Sequence, residues 1–206
     1  MFRAIHPVIL ASASPRRQKF LSDLGIAFTA SAADIDETAR PGEQPEKFAL
    51  RMAADKAAVL ADQYPAACII AADTVVTIDD LILGKPMDED HALTMLRRLC
   101  GTTHQVITGV CLACRDKKKH EVFARATRVW FADFPDAVLK AYIRTGEPMD
   151  KAGAYGIQGK GGFLVSRIDG SCSNVVGLPV HDCITRLIEM QVISPVVHAP
   201  GHKTTS

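Results

Sequence analysis

Long apolar runs are missing from this 206-residue chain. No stretch approaches the ~20 residues that a helix needs to cross a bilayer. The opening segment Met1–Pro7 carries too short an apolar run for a signal peptide. Neither a membrane nor a secretory route is expected. Net charge is nearly missing too: 24 Lys and Arg against 23 Asp and Glu leave +1. Nothing therefore draws the whole molecule to nucleic acid or an anionic membrane, and any basic site must be local. Aromatics make up 6% of residues, with one Trp. None interrupts the basic run Lys117-Lys118-Lys119-His120, which reads as a solvated hairpin tip rather than a nucleic-acid surface. Neither GxGxxG nor GxxxxGK[ST] occurs, so dinucleotide and P-loop readings lack support.

Cysteine is present but not in a disulfide or zinc pattern. Six cysteines without a secretory signal read as reduced cytosolic thiols. Cys111 and Cys114 form a lone CxxC inside an apolar, strand-like run, where residues three apart face opposite sides of the sheet. No second CxxC completes a zinc set, so both read as small buried apolar residues. With 48% hydrophobic and 23% charged residues, the composition is that of an ordinary globule. One domain is expected over residues 1–193, followed by a flexible tail over 194–206.

What is there begins with Ile69-Ile70-Ala71-Ala72-Asp73-Thr74-Val75-Val76, apolar and partly β-branched, as a strand buried on both faces should be. Asp73 breaks the pattern. A carboxylate in such a strand must pair, bind a metal or shift its pKa. Open α/β sheets put chemistry where strands end, so Asp73 marks the mouth of a cleft or, alternatively, caps a following turn.

Upstream, the buried strand Val8–Ala11 runs into Ser12-Ala13-Ser14-Pro15-Arg16-Arg17 and a helix to Leu24. Ser14 suits its N-cap, Pro15 its first position and Gly25 the residue after its end. Cations are disfavoured at a helix N-terminus, so Arg16 and Arg17 there suggest an anion held by both guanidiniums, the Ser12 and Ser14 hydroxyls and backbone N–H groups.

Glu37 lies in the acidic turn Ala33–Thr38, which reads as a solvated loop or as the source of a metal ligand. A helix from Pro45 to Gln63 gathers Phe48, Ala49, Met52, Ala53, Val59 and Leu60 on one side, with Lys56 in its middle. That lysine snorkels to the rim or points into a cleft at an anionic partner. Gly84-Lys85-Pro86 presents Lys85 beside a glycine that permits close backbone approach. Helices are predicted over 88–99 and 135–145, strands over 105–114, 121–131 and 163–168, and a final helix to about 191. Five glycines between Asp150 and Gly162 describe a loop approached closely by a ligand or another backbone.

Five of these stretches resemble the Maf family of nucleoside triphosphate pyrophosphatases, in family order: Leu10–Arg17, Ala72–Val76, Gly84–Pro86, Asp150–Gly159 and Asn174–Pro179. The resemblance implies an elongated α/β fold with a mixed sheet flanked by helices and two lobes around a central cleft. It also implies a homodimer that cleaves a nucleotide to its monophosphate and pyrophosphate. Ser14-Pro15-Arg16-Arg17 together with Asp150–Gly159 looks like the branch that prefers dTTP and UTP. Carried over by position, Asp73 is the catalytic acid/base. Ser12, Arg17, Glu37, Lys56 and Lys85 line the phosphate and metal site, while Arg16, Thr74 and Gln158 set base preference. Asp73 and Glu37 are the implied ligands of Mg²⁺ or Mn²⁺. A second class of function is implied as well, that of a nucleotide-binding regulator linked to septum formation.

Overall fold

A computed structural model of the chain describes residues 1–196. The chain enters through β1 (Phe2–Ala4) and β2 (Val8–Ala11), then α1 (Pro15–Asp23), where the expected Ser14–Pro15 start is met. A two-residue strand, β3 (Thr29–Ala30), precedes α2 (Pro45–Gln63). Next come β4 (Cys68–Ile78), β5 (Leu81–Leu83), α3 (Glu89–Leu99), β6 (Thr103–Cys114), β7 (Lys119–Phe131) and α4 (Asp136–Ile143). Three 3-10 turns over Glu147–Leu164 lead to β8 (Val165–Asp169), α5 (Cys172–Val176), α6 (Val180–Glu189) and β9 (Ile193–Pro195).

A seven-stranded mixed sheet runs β3-β2-β4-β6-β7-β8, with β5 added on β4. The expected α/β architecture, a mixed sheet flanked by helices, is what the chain adopts. β4 is its spine, 11 residues or roughly 35 Å at about 3.3 Å per residue. Apolar side chains gather at its two ends. Leu10, Leu21, Ile70, Leu112 and Leu187 pack at one, and Val76, Leu96, Val129, Phe131 and Leu139 at the other.

The neighbours of β4 change along its length. On one edge β6 pairs continuously, from Cys68 opposite Cys114 to Thr77 opposite Gln105. On the other edge parallel β2 pairs only with Cys68 to Ala71. Antiparallel β5 pairs from Val76 onward, folded back by Asp79 and Asp80, both at positive φ as a two-residue hairpin turn demands. Ala72 to Val75 therefore have no strand partner on that edge. The gap follows from where β2 and β5 each stop, at Ala71 and Val76 of β4, and it opens a cleft in the middle of the sheet. Asp73 sits mid-strand, not at a strand end as expected, and it is this gap that keeps it from full burial.

Helix α2 lies across β4 and β6, with Phe48, Ala49, Met52, Ala53, Lys56 and Leu60 buried as the periodicity predicts. The approach is unusually close at Gly109, which pairs with Asp73 across the sheet. A Cβ there would stand 2.3 Å from the Ala49 carbonyl oxygen.

Several expectations need correcting. Phe163 is not in a strand: it lies in the glycine-rich 3-10 turn that runs to Leu164, its ring edge-on to Phe134 and Tyr142, and β8 starts at Val165. The basic hairpin is not merely solvated. Lys117 and Lys119 donate to the Gln191 and Glu189 carbonyls at 2.6 and 3.1 Å, neutralising the end of α6, where cations are favoured. Ser194 and Pro195 pair with Arg3 and Phe2, so the expected tail begins in an ordered strand. Its remainder, residues 197–206, lies outside the described residues. Gly84 does meet another backbone, its carbonyl accepting from the Gly153 N–H at 3.0 Å, although nothing comes within 4 Å of where its Cβ would stand. Cys111 and Cys114 do face opposite sides, in separate apolar clusters. All six cysteines are free thiols.

Candidate active site

The gap beside β4 opens into a cavity of about 790 Å³, within the usual range for a ligand site. Every residue singled out above for chemistry lines it: Ser12, Arg16, Arg17, Glu37, Lys56, Asp73, Thr74, Lys85 and Gln158. They come from six separate stretches of chain.

The centre is a carboxylate–ammonium–carboxylate bridge. Lys56 Nζ stands 2.7 Å from Asp73 Oδ1 and 2.7 Å from Glu37 Oε1. Its side chain is 11% exposed, that of Asp73 15% and that of Glu37 56%, so the bridge rises from the sheet floor to the cleft mouth. Lys56 thus points inward rather than snorkelling, and its anionic partners belong to the protein. Burial opposes ionisation of Glu37, but the Lys56 hydrogen bond and the charges of Lys56, Lys85 and Arg17 hold its carboxyl below the usual range.

The two arginines take different paths. Arg17 turns inward: Nε donates to the Gly177 carbonyl at 2.7 Å, Nη1 to Ser12 Oγ at 3.3 Å and Nη2 to Thr74 Oγ1 at 2.9 Å. Burial lowers its pKa, against the attraction of Asp73. Three acceptors hold the guanidinium plane while its remaining N–H groups stay available to a ligand. Arg16 instead faces Asp150 at 3.7 Å, linking the start of α1 to the glycine-rich loop. Ser12 Oγ accepts from the Ser14 N–H at 3.1 Å, whereas the Ser14 hydroxyl makes no cap bond. The expected N-cap bond from Ser14 is not made, and its hydroxyl lines the cavity beside Ser12.

Behind Thr74 runs a buried polar line that the sequence reading missed. Thr74 Oγ1 meets Thr108 Oγ1 at 2.9 Å, and Thr108 donates to the Asn174 carbonyl at 3.1 Å. Asn174 Nδ2 donates to the Val106 carbonyl and to Thr127 Oγ1, both at 3.0 Å. Since Thr108 donates onward and Arg17 donates to Thr74, the Thr74 hydroxyl proton points to Thr108. Only Thr108 left a signal, a hydroxyl inside the apolar run Val106–Val110, whereas Thr127 sits among arginines and Asn174 follows two serines. In the far wall, Tyr155 bonds His104 Nε2 at 2.8 Å, and burial pushes that imidazole down to about 4. It is a neutral brace at ordinary pH. Lys85 and Gln158 are exposed at the rim.

Chemically the cleft is a carboxylate floor ringed by cations, suited to a polyanion whose hydrolysis needs a base. Two carboxylates and a hydroxyl are oxygen donors of the kind Mg²⁺ and Mn²⁺ take. Among the described residues no group of three or more His, Cys, Asp or Glu side chains converges. A cation here would therefore share its shell with a ligand's oxygens, as Mg²⁺ usually does with phosphates.

Comparison with known proteins matches the family model described as Maf-like protein to residues 7–190. A dTTP/UTP pyrophosphatase of Desulfotalea psychrophila is 47% identical over 194 residues, 94% of this chain and 100% of that protein. Another, of Oleidesulfovibrio alaskensis, is 50% identical over 196 residues, 94% of this chain and 90% of that one. A third, of Myxococcus xanthus, is 51% identical over 180 residues, 87% of this chain and 90% of its own length.

Proposed function

The chain belongs to the Maf family, and on that premise we propose that it is a nucleoside triphosphate pyrophosphatase acting on dTTP and UTP. The observation that carries this reading is Asp73, held mid-strand in a break of the sheet and ringed by Lys56, Arg17 and Lys85. A binding pocket for triphosphates needs the cations. It does not need a carboxylate among them, because an anion there weakens binding.

Arg17 and Lys85 bind and polarise the phosphates. Asp73 orients a water for in-line attack at the α-phosphorus and takes its proton. The bond to the α,β-bridging oxygen breaks, pyrophosphate departs, and the monophosphate keeps the water oxygen. Lys56 holds the Asp73 carboxylate in place through their 2.7 Å ion pair. Asp73 and Glu37 would hold the Mg²⁺ or Mn²⁺ together with the substrate's phosphate oxygens. When bound, such an ion neutralises phosphate charge and acidifies a coordinated water.

Arg16, Thr74 and Gln158 flank the base. The pairing edge of uracil or thymine reads acceptor, donor, acceptor, and a glutamine amide matches the N3–H and one neighbouring carbonyl together. The protein works as a cytoplasmic homodimer on free nucleotides, with neither nucleic acid nor membrane as partner. The near-zero net charge gives the whole molecule no draw to nucleic acid, and among the described residues no helix is long and apolar enough to cross a membrane.

The decisive experiment is a nucleotide panel with and without Mg²⁺ or Mn²⁺, with products identified. Pyrophosphate release from dTTP and UTP is expected. Orthophosphate release would contradict attack at the α-phosphorus. Tight binding without turnover would favour the regulatory reading.

Lys56→Met gives a second check, on the pH profile. Glu37 is ionised above its depressed pKa and is lost as a ligand when pH falls through that value. Without Lys56, the burial that opposes ionisation has less to offset it, and Asp73 becomes a bare like-charged neighbour. The acid limb of kcat/KM should therefore move toward neutral pH. A limb that stays in place while activity falls uniformly would show that Lys56 serves the substrate alone.

A further inference from the structure

Tyr142 and Glu147 lie outside the cavity lining, yet they tie both ends of the loop that carries Gln158. Glu147 Oε2 accepts from the Lys160 N–H at 2.9 Å, and Oε1 accepts from the Gly161 N–H at 3.0 Å and from the Tyr142 hydroxyl at 3.1 Å. The Tyr142 oxygen in turn accepts from the Gly156 N–H at 3.2 Å. Gly156 on one side and Lys160 and Gly161 on the other are thus fastened to one carboxylate–phenol pair, and Ile157 to Gly159 bow out between them with Gln158 on the cleft.

The glycines make room for this clamp. A Cβ at Gly159, where φ is +82°, would stand 2.9 Å from Glu147 Oε2, and one at Gly161 would stand 2.4 Å from the Tyr142 oxygen. The expected close approach to the glycine loop is therefore made by these two side chains from below. Burial raises the Tyr142 pKa, so the phenol remains a neutral donor. Burial also opposes ionisation of Glu147, but the Lys160 and Gly161 N–H groups, the Tyr142 hydroxyl and Lys151 hold its carboxyl below the usual range. An ionised carboxylate accepts all three hydrogen bonds and donates none.

We infer that Glu147, seated on Tyr142, is a positioning residue for base selection: it sets where Gln158 stands in the cleft without touching the substrate. This rests on the reading that Gln158 meets the base. Glu147→Gln retains one acceptor oxygen but turns an NH₂ group toward a backbone N–H, so donor faces donor and one side of the loop is released. Gln158 then samples positions from which its two-point match to uracil fails.

The test measures kcat/KM for UTP and CTP, with Tm in parallel, for wild type, Glu147→Gln, Tyr142→Phe, Gln158→Ala and the Glu147→Gln/Gln158→Ala double variant. The UTP-over-CTP ratio should fall about tenfold in Glu147→Gln, through KM for UTP rather than kcat. It should fall less in Tyr142→Phe, which keeps the ring and carries the test if Glu147→Gln fails to fold. The double variant should discriminate no worse than Gln158→Ala, as expected for residues acting as a unit. An unchanged ratio in Glu147→Gln and Tyr142→Phe, with a fallen one in Gln158→Ala, would overturn the inference and leave the Gln158 reading standing. An unchanged ratio in Gln158→Ala would remove that reading and the inference with it. A double variant worse than Gln158→Ala by the full Glu147 factor would show Glu147 acting on its own, which also overturns positioning.

Discussion

Asp73→Asn should lower kcat/KM for dTTP and UTP by roughly 10²-fold or more, the usual cost of losing a positioned base or metal ligand. The amide is close to isosteric, and its oxygen can still accept from Lys56 at the position where Oδ1 now stands, 2.7 Å away. Folding should therefore persist, with Tm close to wild type. The loss should appear in kcat at saturating nucleotide, since the phosphate contacts of Arg17 and Lys85 are untouched. Steady-state kinetics with a thermal melt of the same preparation decide the matter. Activity within a few-fold of wild type would sink the role given to Asp73.

Gly109→Ala should produce the largest structural effect of any single methyl in the chain's central layer. The added Cβ would stand 2.3 Å from the Ala49 oxygen, 2.4 Å from its carbonyl carbon and 2.7 Å from the Leu50 nitrogen. All three are backbone atoms of α2, so no side-chain rotation relieves the clash, and the helix must lift off the sheet. Overpacking of this kind costs about 1–3 kcal/mol, occasionally more. For a chain of this size that is roughly 2–12 °C in Tm. Activity should fall too, because α2 carries Lys56 and Gly109 pairs with Asp73, so the shift stretches the 2.7 Å bridge between them. Gly84→Ala is the control. Nothing lies within 4 Å of its Cβ position, and it should melt like wild type. Equal melting temperatures for Gly109→Ala and Gly84→Ala would mean that α2 does not ride on Gly109.

Much of this molecule was legible in its residues. The apolar period of Pro45–Gln63 foretold a helix with Lys56 on its buried face, and Pro15 and Gly25 marked a start and a stop as local conformation requires. Asp73 stood out because a carboxylate in an apolar strand must be answered by something. Motif likeness gathered the nine cleft residues before any geometry did, and all nine line one cavity. The basic run is a hairpin tip as read, but two of its lysines also reach the end of α6, and Ser194 and Pro195, read as the start of a flexible tail, pair with Arg3 and Phe2.

Local pattern could not reveal why Asp73 is reachable, which residue answers it, or what holds Gln158. The opening exists because β2 ends opposite Ala71 and β5 ends opposite Val76, a matter of register between paired strands. Gly109 looked like any glycine in a strand until α2 crossed it, and Glu147 like any acidic residue after a turn until the loop closed over it. Periodicity and propensity act over a few residues and so decide which elements form and which faces they bury. Register, crossing and clamping depend on contacts between segments tens of residues apart, which are set only when the whole chain packs.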